Sequence, residues 1–126
     1  MDIALGMQEA GLQAFAANVN AASMSQWEEL GLYDEDEDSW GRAFEQALTR
    51  TLTAGGRFHF DLTGLDIADA LNGDSDYWVD RHTAWELQQI VRNDAWFANT
   101  LFYLNGKLLA LEELAELDIT PHNKDE

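Results

Sequence analysis

The sequence predicts an α+β fold in which a small antiparallel sheet is covered by about four to six helices. Three observations lead to this fold class. Apolar and polar residues alternate over 57–62, which is the period of a strand with one buried face. An Asn-Gly pair within 100–109 is typical of a type I′ hairpin between apolar strands. Over 40–52, apolar residues recur at three- and four-residue steps, as on one face of a helix.

The first third of the chain is predicted to be helical. Residues 3–22 carry a loose apolar stripe, which favours one long helix. Ser25 and Glu28 have the spacing of a capping box, so a short helix carrying Trp27 and Leu30 is expected next.

The central elements are the helix over 40–52 and the strand over 57–62. The pair Gly55-Gly56 ends the helix, because glycine suits the left-handed backbone found after helix termini. The apolar side chains of the strand contribute about 1.5–3 kcal/mol each when buried, which is enough to seed a core.

The third quarter of the chain is predicted to contain two helical segments and a loop. A short amphipathic turn covers 66–71, and a polar loop follows over 74–80. Thr83 and Glu86 form a second capping-box pattern, which opens a helix over 84–92.

The last elements are one helical turn capped by Asp94, the hairpin over 100–109 and a helix over 111–117. With no internal repeat or linker, residues 1–119 are expected to form one α+β domain, followed by a polar tail over 120–126.

The charge of the chain is its most unusual property. Lys and Arg number 7 against 24 Asp and Glu, giving a formal net charge of −17. Nine acids precede Arg42, the first basic residue, and five of them form the uninterrupted run 34–38. Five adjacent carboxylates repel one another and resist burial, so the run is predicted to be exposed. Such a surface repels nucleic acid and anionic membranes and attracts basic proteins.

The leading functional hypothesis is therefore a small acidic inhibitor that occupies a basic, nucleic-acid-binding groove of a partner protein. Nucleic-acid mimics of the anti-CRISPR, anti-restriction or nuclease-immunity type, including those of phages, have this size and charge. No direct contact with nucleic acid or membrane and no cofactor is expected, and the oligomeric state is left open. The predicted partner-binding residues are acids together with one aromatic pair: Glu28, Glu29, Asp34, Glu35, Asp36, Glu37, Asp38, Asp74, Asp76, Tyr77, Trp78 and Asp80.

Two alternatives stay open at this stage. His59, His82, Glu86 and Arg92 supply the residue types of a small toxin-type enzyme acting on nucleic acid or NAD, with histidine as general base and arginine on phosphate. This requires that they converge in one pocket. The other alternative is a salt-adapted domain whose acids serve solubility alone.

No metal site is predicted. Asp34, Asp36, Asp38 and Glu45 match positions 1, 3, 5 and 12 of a calcium-binding loop, but Ser39 stands where that loop needs glycine. The predicted helix over 40–52 also begins inside the supposed loop.

The expected cellular location follows from features that the sequence lacks. There is no cysteine, which excludes disulfides and thiolate metal sites. No run of eighteen apolar residues and no basic leader is present, so a cytoplasmic protein is expected.

Overall fold

A mixed four-stranded sheet in the order β1-β2-β3-β4 organises the fold. The structure is a computed structural model that describes residues 2–6, 9–27, 29–31, 40–72 and 78–121. The first three strands run parallel to one another, and the last pairs antiparallel with its neighbour. Their bounds are β1 (Ile3–Leu5), β2 (Phe58–Asp61), β3 (Thr100–Leu104) and β4 (Lys107–Leu108).

The α+β class is confirmed, but the predicted antiparallel sheet is wrong. Strand β2 pairs in parallel on both sides, with Phe58 beside Ile3 on one neighbour and beside Thr100 on the other. Alternation along a strand shows which residues are buried but not the direction of the neighbouring strand, so only the β3–β4 pair was specified by the sequence. That hairpin is confirmed, and its turn residues Asn105 and Gly106 both have positive φ, 53° and 80°.

Strand β1 replaces the start of the predicted helix over 3–22. Its residues Ile3, Ala4 and Leu5 are all buried, because the strand is covered on both faces. Three apolar residues fit a helix and a buried strand equally well, which explains the error. The outer edge of β1 is covered by a parallel bridge between Ile3 and Ala22, with Ala4 donating to the Ala22 carbonyl at 2.9 Å.

The helices of the described part are α1 (Glu9–Val19), α2 (Met24–Trp27), α3 (Trp40–Thr53), α4 (Ile67–Asn72), α5 (Trp78–Arg92), α6 (Asp94–Ala98) and α7 (Leu111–Glu116). The predicted helices over 40–52, 66–71 and 111–117 are thus confirmed. The short helix after Ser23 carries Trp27 but ends before Leu30, which lies in a turn.

Helix α5 corrects two predictions. It begins at Trp78, so the end of the predicted loop over 74–80 is helical. Thr83 and Glu86 therefore lie inside the helix, where both are buried, and do not form a capping box. The next helix is capped by Asn93, whose side chain accepts a hydrogen bond from the Trp96 backbone at 3.1 Å, while Asp94 occupies the first turn.

The two faces of the sheet have separate cores. The larger core contains Phe58, Phe60 and Phe102 of the sheet, packed against helices α3, α5, α6 and α7. The smaller core joins Ala4 to the inward side chains of α1, with Tyr103 packed against it. Strand β2 is thus buried on both sides.

None of the described helices combines the length and the apolar character needed to cross a membrane.

Glycine is required at position 6, where the chain leaves β1. Gly6 has φ +96°, and a Cβ there would lie 2.7 Å from the Asp61 carbonyl oxygen and from the Phe60 ring. Gly55 has a similar φ of +80° but open space around it.

We expect Gly55→Ala to cost about 1–2 kcal/mol of unfolding free energy from the left-handed backbone alone. Gly6→Ala should cost about 1–3 kcal/mol more, because the backbone oxygen cannot move aside.

Urea unfolding of both variants tests this difference. Equal destabilisation would show that the close approach of β1 and β2 at Gly6 is absent.

Candidate functional site

Most of the predicted partner-binding residues fall outside the described part of the chain: Glu28, Asp34, Glu35, Asp36, Glu37, Asp38, Asp74, Asp76 and Tyr77. Glu29 is exposed in the turn after α2. Trp78 and Asp80 belong to the first turn of α5, and their side chains are not described.

The described surface carries both signs of charge. Exposed acids occur on α3, α4, α6 and α7, and exposed arginines on α3 and α5 and just before β2. In the sequence, the densest negative segment is the run 34–38, which precedes α3 and lies outside the described residues.

His59 forms the buried centre of a partly exposed polar cluster on the α1 side of the sheet. Its Nε2 lies 2.9 Å from Asp2 Oδ2, and its Nδ1 lies 2.9 Å from the Tyr103 hydroxyl. The other carboxylate oxygen of Asp2 accepts a hydrogen bond from the Arg57 backbone at 2.9 Å. The cluster ties the residue before β1 to β2 and β3, and both ring nitrogens of this buried histidine are satisfied.

This environment shifts the pKa values of Asp2 and Tyr103 in opposite directions. Burial raises the pKa of Asp2, but the hydrogen bonds from His59 and from the Arg57 backbone outweigh it and lower the pKa overall. Burial, together with the nearby Asp2 charge, raises the pKa of the Tyr103 hydroxyl. The Tyr103 ring also packs edge-on against Phe15 of α1, with ring centroids 5.1 Å apart.

Glu86 is a buried titratable group on the other side of the sheet. It lies on α5 with 5% exposure, and its carboxyl accepts a hydrogen bond from the backbone of Gly6. Burial raises its pKa from 4.5 to about 8. At neutral pH the carboxyl is therefore largely protonated.

The four residues of the enzyme alternative do not come together where their side chains are described. His59 lies on the sheet face covered by α1, whereas α5, which carries Glu86, packs against the opposite face. Arg92 is exposed at the end of α5, and the side chain of His82 is not described. The described residues thus contain no pocket shared by His59, Glu86 and Arg92.

A surface cavity of about 410 Å³ lies between α1 and α2. It is lined by uncharged side chains: Gln13, Ala16, Ala17, Asn20, Ala21, Ser23 and Gln26. With no titratable lining residue, it offers hydrogen bonds but no group for acid–base chemistry.

Within the ranges that the structure describes, no group of three or more histidines and carboxylates is placed to hold a metal ion. Of the calcium-loop pattern only Glu45 is described, and it is exposed on α3.

No protein-family model, no curated protein and no solved structure matches the chain.

Two members of the polar cluster, Asp2 and Tyr103, were not anticipated from the sequence. Asp2 precedes a strand that was interpreted as a helix, and Tyr103 sits in a hairpin strand where it looked like an ordinary aromatic. The alternation of Arg57, His59 and Asp61 did identify the cluster's strand, but it suggested a solvent-facing side. The sheet face under α1 is instead covered, and His59 is only 5% exposed.

The raised pKa of Glu86 predicts a specific pH dependence of stability. The folded state holds a proton that the unfolded state releases above pH 4.5, so the free energy of unfolding should fall between pH 4.5 and about 8, by up to about 1.4 kcal/mol per pH unit. Glu86→Gln removes this titration while keeping an oxygen for the Gly6 backbone. We expect the variant to match the wild type near pH 4 and to exceed it above pH 8 in urea unfolding.

Glu112→Gln, which removes an exposed carboxylate, is the matched control and should follow the wild-type profile. Parallel curves for Glu86→Gln and the wild type over the whole range would contradict the buried, protonated state.

The Tyr103 hydroxyl should stabilise the fold through its hydrogen bond with His59 Nδ1. Tyr103→Phe keeps the ring on Phe15 but leaves the His59 Nδ1 without its partner, which we expect to cost about 1–3 kcal/mol of unfolding free energy. A double-mutant cycle with His59→Gln, measured by urea unfolding, should give a coupling above about 0.5 kcal/mol. Additive effects would show that the hydroxyl and the ring nitrogen do not interact.

Proposed function

We propose that this protein is an acidic inhibitor that binds the basic, nucleic-acid-binding groove of a partner protein. The observation that carries the proposal is the net charge of −17 together with its concentration in the run 34–38. Closely spaced carboxylates substitute for phosphates, because both accept charge-assisted hydrogen bonds from Arg and Lys.

The described residues on either side of the run in the sequence are packed in the core. Before it, Trp27 of α2 is 1% exposed, and after it, Ala43 and Phe44 of α3 are buried. The run is thus bounded along the chain by two segments that are anchored in the fold.

The core of the fold is apolar on both sides of the sheet. The Lys107–Glu113 ion pair lies at the surface, and exposed pairs of this kind contribute at most about 1 kcal/mol. An apolar core of this kind does not require a large excess of acidic residues.

Binding through this surface should be fast at low salt and weaken steeply as salt rises, since the attraction is screened over about 10 Å at 0.1 M ionic strength. A salt-adapted domain behaves differently: it loses structure at low ionic strength, where its like charges repel without screening.

The test is a competition assay. Proteins from the native host's lysate are captured at low salt and eluted by rising salt, and each captured protein is then bound to a fluorescent duplex or single strand. Adding the acidic protein should release the labelled nucleic acid. Asp34→Asn, Asp36→Ser and Asp38→Asn together should weaken this competition at least tenfold, because three charge-assisted contacts are lost.

A matched control removes three exposed acids elsewhere, on α3, α4 and α6: Glu45→Gln, Asp69→Asn and Asp94→Asn. It changes the net charge equally, so it should retain most of the competition if the run 34–38 is the contact. Binding that is insensitive to salt, or a captured protein that keeps its nucleic acid, would overturn the proposal.

A further inference from the structure

The junction between β4 and α7 exposes apolar side chains. Leu111 is 72% exposed and Leu108 is 50% exposed, and Ala110 between them is also exposed. The other side of α7 is well buried through Leu114, and Ile119 follows it into the core. The helix is therefore docked on its inner side while apolar side chains are exposed at its start.

The outer side of α7 combines these apolar groups with acids. Leu111 and Ala115 are four residues apart and so share one face of the helix, and Glu112 and Glu116 have the same spacing beside them. Ala115 and both glutamates are exposed. We call this surface, made of Leu108, Ala110, Leu111, Ala115, Glu112 and Glu116, the α7 ledge.

The nearest base among the described residues, Lys107, is paired with a different glutamate. Lys107 Nζ lies 2.9 Å from Glu113 Oε2, and the other oxygen of Glu113 accepts a hydrogen bond from the Ala110 backbone at 2.8 Å. The Ala110 contact first, and Lys107 next, lower the pKa of Glu113, which stays ionised and paired. The charge of Lys107 is thus matched by a third carboxylate, while Glu112 and Glu116 face outward beside the leucines.

We propose that the α7 ledge docks a basic amphipathic segment of the partner protein, with apolar side chains on Leu108 and Leu111 and Lys or Arg on Glu112 and Glu116. Charge complementarity selects the occupant: exposed leucine bordered by carboxylates matches apolar residues bordered by cations. The inference rests on the proposed function in one respect, the positive charge of the partner. It adds a second contact surface and an apolar component to the recognition.

The probe is a synthetic helical peptide with leucines at i, i+3, i+4 and i+7 and lysines elsewhere, compared with a peptide of equal charge in which serines replace the leucines. Amide shifts of the full chain are followed during titration. The leucine peptide should perturb residues 107–118 and bind about fivefold to tenfold more tightly than the serine peptide.

Leu111→Ser tests the apolar contact. The side chain is mostly exposed and begins a helix, so serine is tolerated at this position, and circular dichroism checks the fold. The variant should lose about fivefold to tenfold affinity for the leucine peptide and none for the serine peptide, whereas Leu111→Met should bind like the wild type. Leu30→Ser is the matched control, because Leu30 is 49% exposed on another part of the surface, and its affinity should not change.

Equal affinity for the two peptides, or shifts that cluster away from 107–118, would overturn the inference. This outcome is separate from the competition assay, which uses captured nucleic-acid-binding proteins. Peptide binding at the ledge without release of nucleic acid would retain the ledge and reject the inhibitor, and the reverse result would do the opposite.

Discussion

The burial of β2 on both faces is the constraint on which the rest of the structure depends. Phe58 and Phe60 fill the larger core, and the alternate residues His59 and Asp61 point to the other side, where burial leaves them little water. A buried polar side chain must find partners within the protein. Asp2 and Tyr103 meet this need for His59, and the Thr63 backbone donates to Asp61 at 3.0 Å. The positions of β1 and β3 beside the central strand are thus linked to His59.

The same constraint explains which parts of the fold the sequence could predict. Elements with a local signature were found: the apolar stripe of α3, the Asn-Gly turn and the alternation of β2. Strand β1 has no such signature, since three apolar residues satisfy several patterns. Strand direction and the start of α5 depend on contacts far apart in the chain, which periodicity does not record. Thr83 and Glu86 fitted a capping box by spacing, but tertiary packing placed both inside a longer helix.

The candidate sites, like the fold, could be predicted from the sequence only in part. Net charge is a property of composition, so the acidic character was available from the sequence. Convergence of side chains is not, and His59 and Glu86 turned out to serve opposite sides of the sheet. Their roles differ as well: the histidine is held by hydrogen bonds on both ring nitrogens, whereas Glu86 is held mainly in its neutral form by lack of solvation. The leucines of the α7 ledge are present in the sequence, but only the fold shows that they are exposed.

The two edges of the sheet differ from an open edge that other chains could extend. An open sheet invites other chains to add strands wherever backbone groups are left unpaired. Here the backbone of Ala22 bonds both to Ala4 and to Asp2, so the β1 side offers few free groups to a foreign strand. On the other side, β4 is two residues long and begins with a lysine, which gives an incoming strand a short template and a charge to bury. Neither edge of this mixed sheet is therefore a good template for the addition of a strand.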